Sequence, residues 1–490
     1  MNPNKDFKCI AVDMGAGSVR IMLGVIRDGI LSDTEVHRFE NRIVEKDGHE
    51  RWESERIVSQ IIEGINKVLD AHGDTISSIG IDTWGVDFAL LDAHGQLVDE
   101  PVAYRDARTE GMQEKWLKIM SRMETFERTG INFYIFNTLF QLLSMKGSEV
   151  LSKTVRILFT PNFMYYKLTG QLSNEMTISS TSQMLSTQTA LWDEKILGHL
   201  GIDPGVLGKP ELPGSTIGKV IHPDLRESSM EAIQVCCHDT ASAVMALPVE
   251  NPNFAFISSG TWCIVGIESD TPILSSEALE TGFTNERGYN NSFRVLKNIV
   301  GLWLIQGLKK EYPDHTSHGD LEQIAHAADH TIQVINPDDE LFYNPSNMKA
   351  AFDAFFNKTG QTIPGDTGNY LKCAYDSLCF SFRHHIEKLE SFSGKQIEVL
   401  HLIGGGSQSD YLNQKIANVC SRKVISGPVE GASIGNILVQ AISKDIIKDL
   451  DEARELVKRS VQLKYYDPKP KLPDTDKRYE LFKKLLQKSY

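Results

Sequence analysis

Apolar residues in the first half of the chain alternate between strand-like and helix-like spacing. CIAVDM and VRIMLGVI are apolar runs joined by the short turn GAGS, a pattern that predicts a hairpin. RIVSQIIEGINKVLDAHG carries apolar residues at helical spacing and ends at a glycine. SIGIDTWGVDFALLD then predicts a strand, a tight turn and a second strand. This alternation predicts an α/β fold.

The pattern breaks near LPVENPN and then begins again. FAFISSGTWCIVGIES repeats the order of apolar strand, small polar turn and apolar strand, and IEVLHLIGGGSQSDYLNQKIANV predicts a strand and a helix. DKRYELFKKLLQ predicts a charged helix near the end. A chain of 490 residues is too long for one hydrophobic core. We therefore predict two domains, 1–245 and 246–490, that are related in pattern and face a cleft.

Composition restricts the partners and the compartment that we expect. With 51 Lys and Arg against 65 Asp and Glu, the net charge of −14 disfavours nucleic acid and anionic membranes as partners. The N-terminal stretch MNPNKDFKCIAVD has the features of neither a signal peptide nor an anchor, and no run is long enough to span a bilayer. The seven cysteines form no C-x-x-C motif, which predicts reduced thiols and a cytoplasmic protein.

The tip of the first predicted hairpin, DMGAGSVR, has residue types that suit a phosphate. Gly15 and Gly17 would let the chain turn with positive φ and bring backbone N–H groups close to an anion. Ser18 adds a hydroxyl and Arg20 a cation. Asp13 would repel phosphate unless a divalent cation lay between them, which points to Mg²⁺. A plain glycine turn with a solvated salt bridge remains the alternative.

Two better-known phosphate motifs do not fit. GSTIGKV is one residue too short for a P-loop and has valine where the hydroxyl belongs. GAGSVR resembles the start of a dinucleotide fingerprint, but its third glycine is missing and the β-branched run that follows predicts a strand where that motif needs a helix. A dehydrogenase is therefore a weak hypothesis.

Two loops of the second half could also contact a nucleotide. SSGTW, at 258–262, offers two hydroxyls before a Gly–Thr amide pair, and across a cleft from the first tip it would help to grip a polyphosphate. On its own it is a simple turn. Gly404–Gly406 either pack closely or clear a flat slot for an adenine ring.

Asp239 lies between a predicted strand, IQVCC, and a predicted helix, TASAVMAL. His238, Asp239 and Thr240 would thus stand at the carboxyl end of a strand, where α/β proteins bind ligands. One interpretation is a helix N-cap, in which the carboxylate accepts backbone N–H groups. The other is a carboxylate that accepts the proton of an acceptor hydroxyl during phosphoryl transfer. The accompanying phosphate loops favour the second role, and a capping geometry would be compatible with it.

The motifs D-x-G-A-x-S-x-R, GIDTWGVDF, PVAYRDART, HDTASAV, SSGTW, LKNIVGLWLIQ and GGGSQ occur in this order. Through these motifs and their order, the chain resembles the FGGY carbohydrate kinase family from about residue 9 to about residue 440. The resemblance implies an actin-like, ribonuclease H-like fold duplicated in two domains that close on ATP. GIDTWGVDF and LKNIVGLWLIQ resemble the branch that transfers phosphate from ATP to the 1-hydroxyl of L-rhamnulose, with Mg²⁺ required.

The resemblance also assigns roles by position. Asp239 corresponds to the proton acceptor, and sugar-contacting positions fall on Gly85, His238, Thr240 and Asn298. ATP-contacting positions fall on Ala16, Gly17, Ser18, Val19, Arg20, Thr261, Gln306 and Gly405. A kinase of another ketose, such as L-fuculose or D-xylulose, is the main alternative. An actin-like ATPase that binds a protein partner is a more remote one.

Overall fold

The computed structural model describes residues 6–328, 332–470 and 474–487. The strands are β1 Phe7–Met14, β2 Ser18–Arg27, β3 Ile30–Glu40, β4 Ile43–Lys46, β5 His49–Trp52, β6 Ser78–Thr83, β7 Phe88–Leu91, β8 Arg156–Phe159, β9 Asn174–Glu175, β10 Pro210–Glu211, β11 Thr216–Lys219, β12 Glu231–Ile233, β13 Phe254–Ser259, β14 Trp262–Ser269, β15 Thr284–Arg287, β16 Phe293–Val300, β17 Val399–Ile403, β18 Lys423–Ser426 and β19 Lys464–Tyr466.

The helices alternate with these strands. They are α1 Ser54–His72, α2 Met112–Leu117, α3 Arg122–Thr129, α4 Thr138–Ser144, α5 Glu149–Lys153, α6 Thr160–Thr169, α7 Met176–Ser180, α8 Glu194–Leu200, α9 Pro204–Leu207, α10 Asp239–Met245, α11 Ser276–Glu280, α12 Trp303–Lys309, α13 His318–Ala327, α14 Met348–Thr359, α15 Thr367–Ser393, α16 Asp410–Cys420, α17 Gly431–Ser443, α18 Leu450–Ser460 and α19 Thr475–Gln487. Among the described residues, no helix has the length and apolar character needed to cross a membrane.

The chain folds into two compact units that are not two contiguous halves. The first comprises Met1–Pro248, Glu268–Val295 and Gly431–Ser460, and the second comprises the remaining stretches, Val249–Ile267, Leu296–Glu430 and Val461–Tyr490. This division differs from the predicted boundary between 245 and 246, because two later segments pack with the first unit. A single boundary in the sequence cannot describe units that are each built from three separate segments.

The sheet of the first unit has the order β11-β12-β6-β1-β2-β3. β1 is antiparallel to β2, as the hairpin pattern predicts, and parallel to β6. β6 is in turn parallel to β12. Ile57, Ile61 and Ile65 recur at helical spacing along α1 and are all buried, so the apolar face of this helix joins the core.

The second large sheet follows the order β15-β16-β14-β13-β17-β18-β19. Its hairpin, β13 and β14, is antiparallel, and β13 is parallel to β17, which is parallel to β18. The strand at the far end, β19, is antiparallel to its neighbour, as β11 is in the first sheet. The order and directions of β11-β12-β6-β1-β2 thus recur in β19-β18-β17-β13-β14. This recurrence confirms a duplicated α/β fold of the actin-like kind.

One strand prediction differs from the structure at its end, and another is confirmed with its two strands in different sheets. IQVCC predicts a strand up to Cys237, but β12 ends at Ile233, and beyond it the chain pairs with β6 through an isolated bridge from His238 to Thr83. SIGIDTWGVDFALLD does form two strands, but β6 belongs to the large sheet and β7 pairs with β8 in a separate two-stranded sheet. The turn between them therefore leaves the main sheet at Thr83.

Candidate active site

Carboxylates meet at one end of the first sheet. Asp13 near the end of β1 and Asp82 in β6 are register partners in the parallel pair, and Asp239 is the first residue of α10. Burial raises the pKa of Asp82 well above its ordinary value, and the nearby charges of Asp13 and Asp239 raise it further. Asn436 Nδ2 donates to Asp82 Oδ2 at 2.7 Å, whereas the buried Oδ1 has no hydrogen-bond partner among the described residues.

Asp13 forms an ion pair with Arg20, its register partner across the hairpin. The side chain of Asp13 is 7% exposed and that of Arg20 21%, so the pair is largely protected from solvent. Ser433 Oγ donates to Asp13 Oδ2 at 3.3 Å. The sequence predicted that Arg20 contacts a phosphate and that Asp13 contacts a cation. In the structure the two side chains form an ion pair with each other.

The hairpin tip adopts a different backbone from the one predicted. Gly15 and Gly17 are both absent from the residues with positive φ, so the prediction of left-handed glycines here is wrong. The turn closes instead by a hydrogen bond from Gly15 N–H to Ser18 O at 2.9 Å, and Asn41 holds it by donating to Gly15 O and Gly17 O. A Cβ at Gly17 would meet nothing within 4 Å, so this exposed backbone remains accessible to a ligand.

The remaining residues of the first loop differ in accessibility. Ala16 and Ser18 are partly exposed near the tip, whereas Val19 is fully buried in β2 opposite Met14. The side chain of Val19 therefore belongs to the core, and only its backbone could take part in binding.

Asp239 is the first helical residue of α10 and not its N-cap. His238 occupies the cap position without a capping side chain, and the Asp239 carboxylate accepts the N–H and the hydroxyl of Thr240. Burial raises the pKa of Asp239 and the charge of Asp13 adds to this, although the neighbouring His238 opposes it. The side chain is still 33% exposed, which leaves a carboxylate of increased basicity accessible to a substrate.

His238 lies between two carboxylates. Its Nδ1 is 3.1 Å from Glu286 Oε2, and its Nε2 is 3.4 Å from Asp239 Oδ1. Arg294, whose side chain is fully buried, places Nη2 3.0 Å from the same Glu286 oxygen and 3.1 Å from His238 Nδ1. Burial alone would raise the pKa of Glu286, but His238 and Arg294 outweigh it and lower the pKa. The imidazole is thereby fixed next to Asp239.

The turn after β6 is strained. Val86 has φ of +68°, a conformation that is rare for a β-branched residue. Its N–H donates to Thr181 Oγ1 at 3.0 Å, and its carbonyl accepts from Thr138 Oγ1 at 2.6 Å. A Cβ at Gly85 would approach Thr181 to 3.2 Å. Surrounding hydrogen bonds thus hold the backbone at this predicted sugar contact in a form it would not adopt alone.

Asp87, in the same turn, is buried under aromatic donors. Its Oδ2 accepts Trp52 Nε1 at 2.7 Å and Trp84 Nε1 at 2.9 Å. Burial raises the pKa of Asp87 to about 6, although these hydrogen bonds oppose the rise. The two indole rings lie with their centroids 4.5 Å apart. These hydrogen bonds fix Asp87 in the turn that carries Gly85.

The predicted nucleotide residues of the second unit also come together within that unit. Thr261 Oγ1 lies 3.4 Å from Gln306 Nε2, although 45 residues separate them in sequence. The carbonyl of Thr261 accepts the N–H groups of Gly301 and Trp303, so the tip of the hairpin is joined to the start of α12. Asn298, the remaining predicted sugar residue, is half-buried in β16 of this unit.

The glycines after β17 pack against the same hairpin. A Cβ at Gly404 would come within 2.9 Å of Ser259 O, and one at Gly406 within 2.1 Å of Ser259 Oγ. Gly405 between them has nothing within 4 Å, so its surface is open. Of the two interpretations that the sequence left open, close packing therefore holds for the outer glycines. The middle one keeps the open surface that a ring would need.

Several residues at this site have no signal in the sequence alone. Glu286, Arg294 and Asn436 reach the site from segments that return to the first unit late in the chain. Asp82 could have been found, because it occupies the strand position parallel to Asp13. No spacing rule connects the others to it.

A divalent cation fits the carboxylates of the first unit. Asp13 and Asp82 would supply the hard oxygen ligands that Mg²⁺ prefers, and the Oδ1 of Asp82, which has no hydrogen-bond partner among the described residues, is suited to such a contact. Within the described ranges, His, Cys, Asp and Glu side chains form no group of three that could by itself hold a metal ion. A cation here would complete its shell with water or phosphate oxygens, as Mg²⁺ commonly does.

Comparisons with known proteins show the family of the chain. The sequence matches the FGGY family of carbohydrate kinases, with its N-terminal domain over residues 8–246 and its C-terminal domain over residues 255–443. A rhamnulokinase of Bacteroides thetaiotaomicron is 39% identical over 463 residues, which cover 94% of this chain and 95% of that protein. A rhamnulokinase of Bacillus subtilis is 38% identical over 462 residues, with the same shares covered.

Solved structures share the fold at lower identity. A ligand-bound xylulose kinase from Lactobacillus acidophilus aligns with a TM-score of 0.82 at 14% identity, covering 98% of this chain and 97% of that one. Plasmodium falciparum glycerol kinase with ADP aligns with a TM-score of 0.82 at 17% identity, covering 99% and 98%. The fold and both matched domains lead to one conclusion: the chain belongs to the FGGY family of carbohydrate kinases.

Proposed function

We propose that the chain transfers the γ-phosphate of ATP to the 1-hydroxyl of L-rhamnulose, forming L-rhamnulose 1-phosphate and ADP in L-rhamnose catabolism. The observation that carries the choice of sugar is the similarity to relatives named rhamnulokinase over nearly the whole length of both chains. Family membership by itself supports a sugar kinase.

Asp239 is the proton acceptor in this proposal. The sugar O–H bond breaks as its oxygen bonds to the γ-phosphorus, the proton passes to the Asp239 carboxylate, and the bond to the leaving ADP breaks. The raised pKa and partial exposure of Asp239 support this role, because a base is most effective when its pKa approaches the working pH. His238 holds the carboxylate in place and, with Thr240, Gly85 and Asn298, is proposed to contact the sugar.

The phosphates are proposed to contact the backbone of Ala16–Val19 together with Arg20, and Thr261, Gln306 and Gly405 to contact the rest of ATP. Mg²⁺ would be held by Asp13 through water, with Asp82 beside it, and when bound it would neutralise charge on the phosphates. We further propose a cytoplasmic location, which the burial of all seven cysteine side chains supports.

A coupled assay of ADP release across L-rhamnulose, L-fuculose and D-xylulose tests the choice of sugar. We expect the highest kcat/KM with L-rhamnulose. A higher value with another ketose would replace the substrate, and ATP hydrolysis that no ketose stimulates would favour the actin-like ATPase.

Asp239→Asn tests the role of the carboxylate. The amide keeps the shape of the side chain but is a poor proton acceptor, so we expect kcat to fall about 10²-fold or more. Calorimetric titration with the ketose should show that the variant still binds it. A variant with nearly the wild-type rate would contradict the assignment.

A further inference from the structure

Glu175 is a fully buried carboxylate that the account of the reaction does not use. It lies at the end of β9, is 0% exposed, and caps α7 by accepting Thr177 N–H at 2.7 Å and Ile178 N–H at 3.0 Å. Its Oε2 also accepts Cys237 N–H at 3.2 Å. Cys237 lies two positions before Asp239, so a helix cap and the backbone of the active site share one carboxylate.

Thr177 extends this contact by one residue. Its hydroxyl donates to Glu175 Oε2 at 2.7 Å and accepts His238 N–H at 3.2 Å. The two N–H groups that precede Asp239 are therefore both held by the pair Glu175–Thr177. Because β12 ends at Ile233, regular sheet pairing does not provide acceptors for these groups.

The position of Asp239 depends on this backbone. Thr83 N–H, at the end of β6, donates to Cys237 O at 2.8 Å. The carbonyl of Cys237 is thus held by β6 and its N–H by Glu175. A catalytic group that is misplaced by about 1 Å can lose about 10²-fold in rate. A buried carboxylate is costly to desolvate, and burial raises the pKa of Glu175 to about 7. Its shared hydrogen bonds offset part of that cost.

We propose that Glu175, acting directly and through Thr177, is a positioning residue that holds the Cys237–His238 backbone so that Asp239 faces its substrate. This inference rests on the proposed role of Asp239 in the kinase reaction. It predicts that disturbing the pair lowers kcat and leaves KM for the ketose and for ATP nearly unchanged.

Thr177→Val and Thr177→Ser form the central test. Valine keeps the shape but removes the hydroxyl, and we expect kcat to fall about 10-fold with little change in either KM. Serine restores the hydroxyl and should return kcat to within about 2-fold of wild type. Glu175→Gln, which replaces an acceptor oxygen by a donor, should lower kcat at least as much. Equal kcat values for the valine and serine variants would overturn the inference.

Asp193→Asn is the matched control. Asp193 is also a buried helix cap, accepting Ile196 N–H at 3.0 Å and pairing with Arg128, but it caps α8 and has no contact with the Asp239 segment among the described hydrogen bonds. We expect it to lower the melting temperature while kcat remains at the wild-type value. If Thr177→Val, Glu175→Gln and Asp193→Asn lowered kcat only in proportion to the loss in melting temperature, Glu175 and Thr177 would be purely structural.

Amide hydrogen exchange separates failure of this inference from failure of the proposed function. Measured without substrate, the exchange of the His238 N–H should become at least about 10-fold faster in Thr177→Val and remain slow in Asp193→Asn. Unchanged exchange would refute the positioning role even if wild type phosphorylates L-rhamnulose. If exchange were faster in Thr177→Val but wild type phosphorylated no ketose, the positioning role of Glu175 and Thr177 would stand and the proposed reaction would be rejected.

Discussion

Gly435 allows α17 to approach the helix that begins with Asp239. A Cβ added at Gly435 would lie 1.7 Å from Ser242 O and 2.5 Å from Ser242 C, both backbone atoms of α10, whereas ordinary contact begins near 3.4 Å. Since backbone cannot rotate away, Gly435→Ala must separate the two helices by more than an ångström. The hydrogen bond from Asn436 to Asp82 and that from Ser433 to Asp13 start from the same helix and would be stretched.

The expected effect follows from two opposing contributions. Overpacking of this kind costs about 3 kcal/mol, and replacing glycine by alanine in a helix returns about 1 kcal/mol. We therefore expect a net loss of about 2 kcal/mol and a melting temperature about 4 °C lower. Because α10 carries Asp239 at its first position, kcat should also fall about 10-fold.

Gly198→Ala is the matched control for this substitution. Gly198 lies in α8, where an added Cβ would meet nothing within 4 Å. We expect this variant to gain about 0.5–1 kcal/mol and to keep the wild-type kcat. Scanning calorimetry and the ADP-release assay measure both quantities for both variants. If Gly435→Ala were as stable and active as Gly198→Ala, the close contact between α10 and α17 would be refuted.

Glu286→Gln leaves the buried Arg294 without its carboxylate and weakens the contact that fixes His238, so we expect kcat to fall about 10-fold. Glu35→Gln, which removes an exposed ion pair with Arg38, is the control and should leave kcat unchanged. Equal rates in steady-state assays of these two variants would rule out the role of Glu286. Asp87, with a folded pKa of about 6 above its unfolded value of 3.8, keeps its proton longer in the folded protein, so its contribution to the free energy of unfolding decreases as the pH rises between these values. Urea titrations at both ends of this range should show on the order of 3 kcal/mol less pH dependence in Asp87→Asn than in wild type, and identical dependence would contradict the raised pKa.

Local patterns in the sequence were sufficient for most elements that form the site. The apolar runs on either side of GAGS and SSGTW form the hairpins β1–β2 and β13–β14. A hairpin joins consecutive residues, so a local pattern is enough to predict it. The helix after His238 begins at Asp239, one residue before the predicted TASAVMAL. Asp239 could be singled out for the same reason, since its place between a strand and a helix is a property of consecutive residues.

Local patterns failed where distant segments determine the conformation. Positive φ was predicted for Gly15 and Gly17 from their residue type, but Asn41 and Ser18 close that turn with ordinary φ. The strand before Asp239 was predicted to be longer than β12, because its residues are apolar. The same apolar composition also suits a buried segment without regular sheet pairing, and here Glu175 accepts the N–H of Cys237. In both places a hydrogen bond from elsewhere in the chain replaced the regular structure that composition suggested.

The last stretch of the chain shows the same limit. Its charged pattern predicted only a helix, which is α19. The structure adds that this helix packs in the second unit, where Tyr479 Oη donates to Glu387 at 2.6 Å, whereas α18 shortly before it belongs to the first unit. Two adjacent helices therefore serve different cores, a choice that neither amphipathic pattern encodes.

The sequence by itself determined the duplicated α/β pattern, the two glycine-containing hairpins and the carboxylate at residue 239, because each is expressed in consecutive residues. Only the tertiary structure decided which groups surround that carboxylate. Glu175, Glu286 and Asn436 reach the site from three separate segments. The raised pKa of Asp82 follows first from its burial and then from the charges of Asp13 and Asp239. Burial and electrostatic coupling are properties of proximity in space, and no spacing along the chain specifies them.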